Sequence, residues 1–505
     1  MSKRLLVLVL AVALAPATAL AEPDPAVLAR ELDAALGDPR LDGAQVGLVV
    51  RSATTGEVLY TRGGSTRLVP GSNVKLLTST AALAILGPTY RFRTSVHAET
   101  AARDGVLAGN LYLRGTGDPS LQASRYAELA SQLARSGLKE VRGQLVADDT
   151  WFDSVRLGND WAWDDEPFAY AAEISALTVA ADADFNIGSV MVEVSPGGGN
   201  GAPVRVELRP TTRVVKIENT ATTTPAGSAR RVSIRREHGS DTIRVTGSLP
   251  VDERPARVLQ SVRDPTDYAA DVFRSALAQE GIQVRGTTAR ESTPPGLAEL
   301  AALESMSLDE LDIPFLKLSN NGIAEILVKS MGRKVYGEGS WAAGLRAIDQ
   351  FLVARGVRTD TLQLRDGSGL SPVNLVPPKE LSQLLFSVQG EEWFGAWYDA
   401  LPVACAPEPR IGGTLSTRMC GTPAEGNVHA KTGTLTSGSA LSGYVTTAAG
   451  DPLIFSIVLN NVVGPAPKSV EDAVAEALAA SGASSGAARY QPPSASMSGT
   501  RVVGW

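Results

Sequence analysis

The order of the predicted secondary-structure elements restricts how this chain can fold. Two strand-like segments lie near its start, at 45–51 and 57–61, and three lie near its end, at 428–434, 440–447 and 452–460. Between about 90 and 263, short alternating strands are separated by glycines, prolines and polar turns. Helical spacing then returns, at 264–278, 312–331, 345–354, 379–386 and 469–480. This order predicts an α+β protein in which the early and late strands share one antiparallel sheet.

A chain of 505 residues exceeds what one hydrophobic core usually supports, so we expect more than one domain. We assign residues 22–90 and 264–482 to one discontinuous domain, with a sheet of about five strands and helices on its faces. Residues 91–190 and 191–263 are then two inserted β-rich domains, or a single irregular extension. Residues 483–505, rich in Ser, Gly and Ala, are predicted to be a poorly ordered tail.

The first 21 residues have the organisation of a secretory signal peptide. Lys3 and Arg4 precede an apolar stretch at 5–15, and Ala19-Leu-Ala21 is a small-residue cleavage site. An uncleaved anchor helix is the alternative. No later segment reaches the ~18 apolar residues that a membrane span requires. We therefore expect a secreted, periplasmic or cell-wall-associated protein.

Charge and metal-binding residues exclude several classes of function. The formal net charge is −7, and no stripe of basic residues appears, so we expect no nucleic-acid partner. The histidines, His97, His238 and His429, are scattered and support neither a His-based triad nor a metal site. In an exported protein Cys405 and Cys420, the only cysteines, predict a disulfide, with two free thiols as the alternative.

Ser72 and Lys75 are the first candidate catalytic pair. They lie at the start of an apolar helical stretch that Gly87 ends, and residues three apart share a helical face. A serine hydroxyl needs an adjacent base, and a lysine shielded from water can be neutral enough to serve. Ordinary helix packing is the alternative. The spacing recurs at Ser136 and Lys139, but there Gly137 ends a helix, so that pair should not share a face.

Two further motifs follow in the chain. Ser319-Asn-Asn321 opens an apolar helical run, where an N-cap is the structural alternative. Lys431-Thr-Gly-Thr434 lies in a predicted strand, where an edge strand with a glycine bulge is the alternative. In this order, S-x-x-K, S-x-N and K-T-G form the set shared by β-lactamases and penicillin-binding proteins.

With these motifs the chain resembles the serine penicillin-recognising enzymes. The stretches 68–75, 109–121 and 366–371 make it similar to the D-alanyl-D-alanine carboxypeptidase/endopeptidase family typified by penicillin-binding protein 4. The resemblance implies a β-lactamase/DD-peptidase-like catalytic domain interrupted by inserted domains. Three residues depart from the family pattern: Gly71 replaces a usual Ala, Asn320 a common Asp, and Pro372 a frequent Arg.

The resemblance also implies a role for each motif residue. Ser72 is the nucleophile and Lys75 the base for acylation. Ser319 passes the proton to the leaving amine and Asn321 orients Lys75 or the substrate amide. Lys431 supplies positive charge for the substrate carboxylate and lowers the pKa of Lys75 by repulsion.

Thr432 and Thr434 assist in binding that carboxylate. Gly433 leaves room for the substrate to pair against the strand. The backbone N–H groups of Ser72 and Thr434 form the oxyanion hole.

The implied function is that of a serine DD-peptidase that removes terminal D-Ala from peptidoglycan stem peptides, cleaves cross-bridges, or does both. β-Lactams are expected inhibitors, and no cofactor or metal is expected. A β-lactamase is one alternative, and a non-catalytic wall-binding protein is another. Asp148 and Asp149 either contact a substrate amine from the insertion or are turn-forming surface carboxylates.

Overall fold

The structure, a computed structural model, describes residues 25–482. The predicted signal peptide and the predicted tail therefore lie outside the described residues. Within them the helices are α1 (Pro25–Ala35), α2 (Val74–Leu86), α3 (Ala123–Arg135), α4 (Pro265–Gln279), α5 (Leu308–Lys317), α6 (Asn321–Tyr336), α7 (Trp341–Ala354), α8 (Pro378–Ser387), α9 (Phe394–Asp399) and α10 (Lys468–Ala480). None of these helices has the length and apolarity needed to cross a membrane.

The strands of the same residues fall into two groups. The first half comprises β1 (Gln45–Ser52), β2 (Val58–Arg62), β3 (Arg93–Ala98), β4 (Val106–Leu107), β5 (Leu111–Gly115), β6 (Glu140–Val141), β7 (Leu145–Asp148), β8 (Ser189–Ser195), β9 (Arg205–Arg209) and β10 (Lys216–Asn219). The second half comprises β11 (Thr222–Thr224), β12 (Ser233–Arg236), β13 (Thr242–Thr246), β14 (Ser248–Pro250), β15 (Ala256–Ser261), β16 (Gln283–Val284), β17 (Thr288–Arg290), β18 (Ala298–Glu304), β19 (His429–Leu435), β20 (Gly438–Thr446) and β21 (Pro452–Asn460).

The early and late strands form one five-stranded antiparallel sheet in the order β19-β20-β21-β1-β2. Its central strands β20 and β21 are buried along nearly their whole length, as their almost continuous apolar and small residues require. On one face, α1 and α10 cover Leu48 and Phe455. On the other face, α2 and α8 cover Ile454 and Val458. The fold class predicted from the order of elements is confirmed.

A second five-stranded sheet, in the order β17-β7-β5-β3-β18, lies in the inserted region. Here the structure differs from the predicted boundary at residue 264. β18 pairs with β3, with Ala301 opposite Val96, and α4 packs on α3 through Phe273 and Tyr126. The helical texture of 264–278 resembled a return to the first domain, but these contacts join it to the insertion. We therefore propose that the insertion continues to about residue 304.

The strands between residues 189 and 261 form smaller sheets that share a core with the rest of the insertion. Their orders are β15-β8-β9, β10-β13-β12 and β11-β14. Val192 and Val245 belong to the same apolar cluster as Leu113 and Tyr126. The two predicted inserted domains are thus connected by continuous packing.

Candidate active site

Ser72 lies in a single turn, Gly71–Asn73, that leads directly into α2. Gly71 has φ +53°, and a Cβ there would lie 3.0 Å from the backbone nitrogen of Thr434. The turn and strand β19 therefore approach closely, and this contact places Ser72 beside the strand. Lys75 follows one turn later, with its Nζ 2.8 Å from Ser72 Oγ.

Lys75 is fully buried and makes two further polar contacts. Its Nζ donates to Asn321 Oδ1 at 2.7 Å and to the carbonyl oxygen of Ser368 at 2.8 Å. Burial lowers the pKa of Lys75 to about 7, although the carboxylates of Glu325 and Asp366 favour the charged form. Near neutral pH a large fraction of the amine is therefore unprotonated and can accept the Ser72 proton.

Sequence reasoning missed Glu325, a fully buried carboxyl beneath this pair. It accepts hydrogen bonds from the backbone N–H groups of Gly367 and Ser368 and from Trp341 Nε1. Burial and the nearby Asp366 raise the pKa of Glu325 to about 7. These bonds hold the loop that presents the Ser368 carbonyl to Lys75. A lone Glu inside the apolar face of α6 was the available signal.

The second motif lies at a break between α5 and α6. Ser319 adopts φ +59° and Asn320 caps α6, accepting from the Ile323 N–H at 3.0 Å. The break turns Ser319 Oγ toward Lys431 Nζ, 2.8 Å away. Asn321 bridges two regions, since its Oδ1 receives Lys75 and its Nδ2 donates to the carbonyl of Tyr170 at 2.8 Å.

The third motif lies on β19, at the edge of the main sheet. Lys431 is fully buried, and burial together with the like charges of Lys75 and Lys468 holds its pKa well below the usual value. The repulsion predicted to act on Lys75 thus appears chiefly at Lys431, whereas burial accounts for Lys75. Thr432 Oγ1 donates to Thr414 Oγ1 at 2.8 Å.

Gly433 has a structural reason beyond the predicted room for substrate. A Cβ on this residue would lie 2.3 Å from the carbonyl oxygen of Pro70. The residue therefore permits the turn that carries Ser72 to pack directly against β19.

The three motifs meet at a cleft of about 590 Å³. Ser72, Ser319, Asn321, Thr432 and Thr434 line this cleft, and Lys75 and Lys431 lie buried within hydrogen-bonding distance of the lining serines.

The inserted region contributes two residues to the cleft that sequence reasoning missed, Asp165 and Tyr170. The Tyr170 hydroxyl donates to Asp165 Oδ1 at 2.6 Å. Asp148 and Asp149, in contrast, lie outside the cleft lining: Asp148 accepts from Thr150 and Thr293, and Asp149 pairs with Arg156. Asp148 is a buried turn carboxylate rather than a surface one.

Cys405 and Cys420 form a disulfide. The loop that it closes contains the short turn Gly413–Leu415, which carries Thr414 to the cleft. Among the described residues no cysteine is left free.

The main sheet, the helices on its faces and the three motifs at one cleft define the class of serine penicillin-recognising enzymes. The family model described as the D-Ala-D-Ala carboxypeptidase 3 (S13) family matches residues 28–481, and the chain belongs to that family. It is therefore a serine-type D-Ala-D-Ala carboxypeptidase.

Individual relatives agree with this assignment. A D-alanyl-D-alanine carboxypeptidase of Actinomadura sp. (strain R39) is 46% identical over 455 residues, which are 90% of this chain and 84% of that protein. The D-alanyl-D-alanine carboxypeptidase DacB of Haemophilus influenzae is 28% identical over 422 residues, 83% of this chain and 86% of that protein.

A solved structure of penicillin-binding protein 4 (dacB) from Haemophilus influenzae matches with a TM-score of 0.76 and 25% identity, covering 90% of this chain and 98% of that one. A structure of that protein complexed with a β-lactam matches with a TM-score of 0.71 and 23% identity, covering 88% and 98% of the two chains.

Proposed function

We propose that this protein hydrolyses the terminal D-Ala-D-Ala bond of peptidoglycan stem peptides through an acyl-enzyme on Ser72. One observation carries the proposal. Ser72 Oγ lies 2.8 Å from a buried amine with a lowered pKa, and a second lysine–serine pair, Lys431 and Ser319, lines the same cleft. A paired nucleophile and base beside an independent proton carrier are what acyl transfer requires.

In acylation, neutral Lys75 takes the Ser72 proton as Oγ bonds to the carbonyl carbon. The N–H groups of Ser72 and Thr434 stabilise the oxyanion, a donor typically being worth ~3–4 kcal/mol of barrier. As the C–N bond breaks, Ser319 gives a proton to the departing amine and is reprotonated from the lysines that it contacts. Lys431, with the hydroxyls of Thr432 and Thr434, binds the carboxylate of the departing residue.

Deacylation restores the enzyme. A water molecule attacks the ester carbon, its proton returns through the Lys75 amine to Ser72 Oγ, and the shortened stem peptide leaves as a carboxylic acid. When the departing amine belongs to a second stem peptide instead of free D-Ala, the same steps cut a cross-bridge.

β-Lactams fit the same cleft because their strained amide carbonyl occupies the position of the scissile bond. A β-lactam complex of the Haemophilus protein supports this expectation. The substrate lies in the cell wall, so we propose a secreted, periplasmic or wall-associated location, in agreement with the predicted signal peptide at 1–21.

Labelling with a fluorescent penicillin tests the nucleophile. The wild-type protein should be labelled stoichiometrically, and Ser72→Ala should abolish labelling. Ser136→Ala, which alters the second Ser-x-x-Lys sequence outside the cleft, should label like the wild type. Labelling that survives Ser72→Ala would contradict the proposal, and rapid steady-state turnover of a chromogenic cephalosporin would favour a β-lactamase instead.

A further inference from the structure

The cleft at Ser72 continues beyond both of its ends. At one end it shares Leu370 and Leu435 with a cavity of about 300 Å³. At the other end it shares Ser319 and Thr414 with a cavity of about 380 Å³. We call these the Leu435 extension and the Ser319 extension. The three spaces form one groove with the nucleophile in its central section.

The chemistry gives this groove a direction, which rests on the proposed function. Strand β19 runs along the cleft from Lys431 to Leu435. The carboxylate of the departing residue binds at Lys431, and its amine is protonated at Ser319, so the departing group lies on the Ser319 side. The acyl portion of the substrate then points toward Leu435. A substrate that ends in D-Ala stops at the carboxylate and leaves the Ser319 extension unused.

The Ser319 extension has two walls from different parts of the fold. Residues 317–322 and 413–414 form one wall, and the inserted region contributes 169–170 and 184–187. Asn320 Nδ2 donates to the carbonyls of Asp184 and Phe185, each at 2.9 Å. Together with the bond from Asn321 to Tyr170, these contacts hold the walls apart at a fixed spacing.

Polar groups line the extension, as a peptide requires. Asn186 and Thr414 offer side-chain hydrogen-bonding groups, Lys317 contributes a buried amine, and Asp184 pairs with Arg410 at the rim. The volume of about 380 Å³ lies within the range of ligand-binding clefts, and a single D-Ala is already accommodated in the central section.

We propose that the Ser319 extension binds the second stem peptide of a cross-bridge, the strand whose side-chain amine is released when Ser72 is acylated. The inserted region thereby supplies one wall of an endopeptidase subsite. The bonds made and broken are those of the proposed reaction, with the second stem peptide in place of free D-Ala.

The test compares two substrates with the full-length mature enzyme. Purified monomeric pentapeptide muropeptide reports D-Ala release, and a purified cross-linked dimer reports cross-bridge cleavage, both followed by mass spectrometry. Ala169→Trp and, independently, Asp184→Trp fill the Ser319 extension without changing a residue of the central cleft. Each should lower kcat/KM for the dimer at least about tenfold and change D-Ala release less than about twofold.

Ala162→Trp is the matched control, because Ala162 lines the Leu435 extension. It should slow both reactions alike, since both substrates share the acyl portion. Equal effects of Ala169→Trp and Asp184→Trp on the two substrates would overturn the inference, as would failure of the wild type to cleave the dimer while it releases D-Ala. Failure of the wild type to release D-Ala would instead refute the proposed function. Normal penicillin labelling of each variant shows that it is folded.

Discussion

At the scale of single residues, the reactivity of the site depends on a lysine that burial makes neutral. Lys75 has no carboxylate within hydrogen-bonding distance among the contacts that the described residues provide: its partners are a hydroxyl, an amide oxygen and a backbone carbonyl. Such partners do little to stabilise the charged amine relative to a direct ion pair. The polar network therefore orients the base without fixing it in its protonated form.

This arrangement predicts the pH dependence of acylation. The pKa of Lys75 is lowered to about 7, so the base is protonated and inactive below that pH and neutral above it. The second-order rate constant for acylation by penicillin should fall about tenfold per pH unit below about pH 7 and level off above it. Stopped-flow measurement with a fluorescent penicillin gives the profile. A rate that is independent of pH across neutrality would contradict Lys75 as the base.

Gly433 provides a second prediction at this scale. In Gly433→Ala the new Cβ would lie 2.3 Å from the Pro70 carbonyl, so β19 and the turn that carries Ser72 must separate. Overpacking of this kind costs ~1–3 kcal/mol, and we expect a lower melting temperature together with slower acylation. In the control Gly438→Ala, the nearest atom is a side-chain nitrogen of Asn460 at 3.4 Å. Equal effects of the two substitutions would refute the argument.

At the scale of elements, local pattern identified most of the main sheet and its helices. The run 452–460 alternates little and is apolar throughout, and it matches β21 residue for residue. The segment 312–331 was less accurate, because its continuous helical texture hides the break at Ser319. That break depends on contacts with β19 and the insertion, which a local window does not contain.

The residues missed at the site share the same cause. Glu325 is recognisable as unusual only once α6 is known to be buried on all sides. Asp165 and Tyr170 reach the cleft because the insertion docks beside Asn321, a contact between residues far apart in the chain. The order of the three motifs was informative for the opposite reason, since each carries its chemistry within a few residues.

The disulfide gives a prediction for one element. It closes a loop with a sequence separation of 15, which should stabilise the fold by roughly 3 kcal/mol. Cys405→Ser with Cys420→Ser should lower the free energy of unfolding by about that amount. Acylation should also slow, because the turn Gly413–Leu415 that carries Thr414 is then less constrained. Thermal unfolding with and without reductant measures the first effect, and an unchanged transition would contradict it.

At the scale of the whole molecule, the insertion and the catalytic motifs are joined through two adjacent amides. Asn321 contacts Tyr170, and Asn320 contacts the carbonyls of Asp184 and Phe185. Both amides follow Ser319, so any displacement of the insertion acts on the residue that faces Lys431. The insertion therefore supports the geometry of the site as well as its walls.

Asn320→Asp tests this connection. The aspartate can still cap α6 through an oxygen, but it replaces the Nδ2 donor by a negative charge facing two carbonyl oxygens. Leaving such buried groups unpaired costs ~1–3 kcal/mol, so we expect a lower melting temperature and slower acylation by penicillin. Asn200→Asp, in an exposed turn of the insertion, introduces the same charge without these contacts and should behave like the wild type. If the two variants are indistinguishable in both measurements, the amide of Asn320 does not couple the insertion to the site.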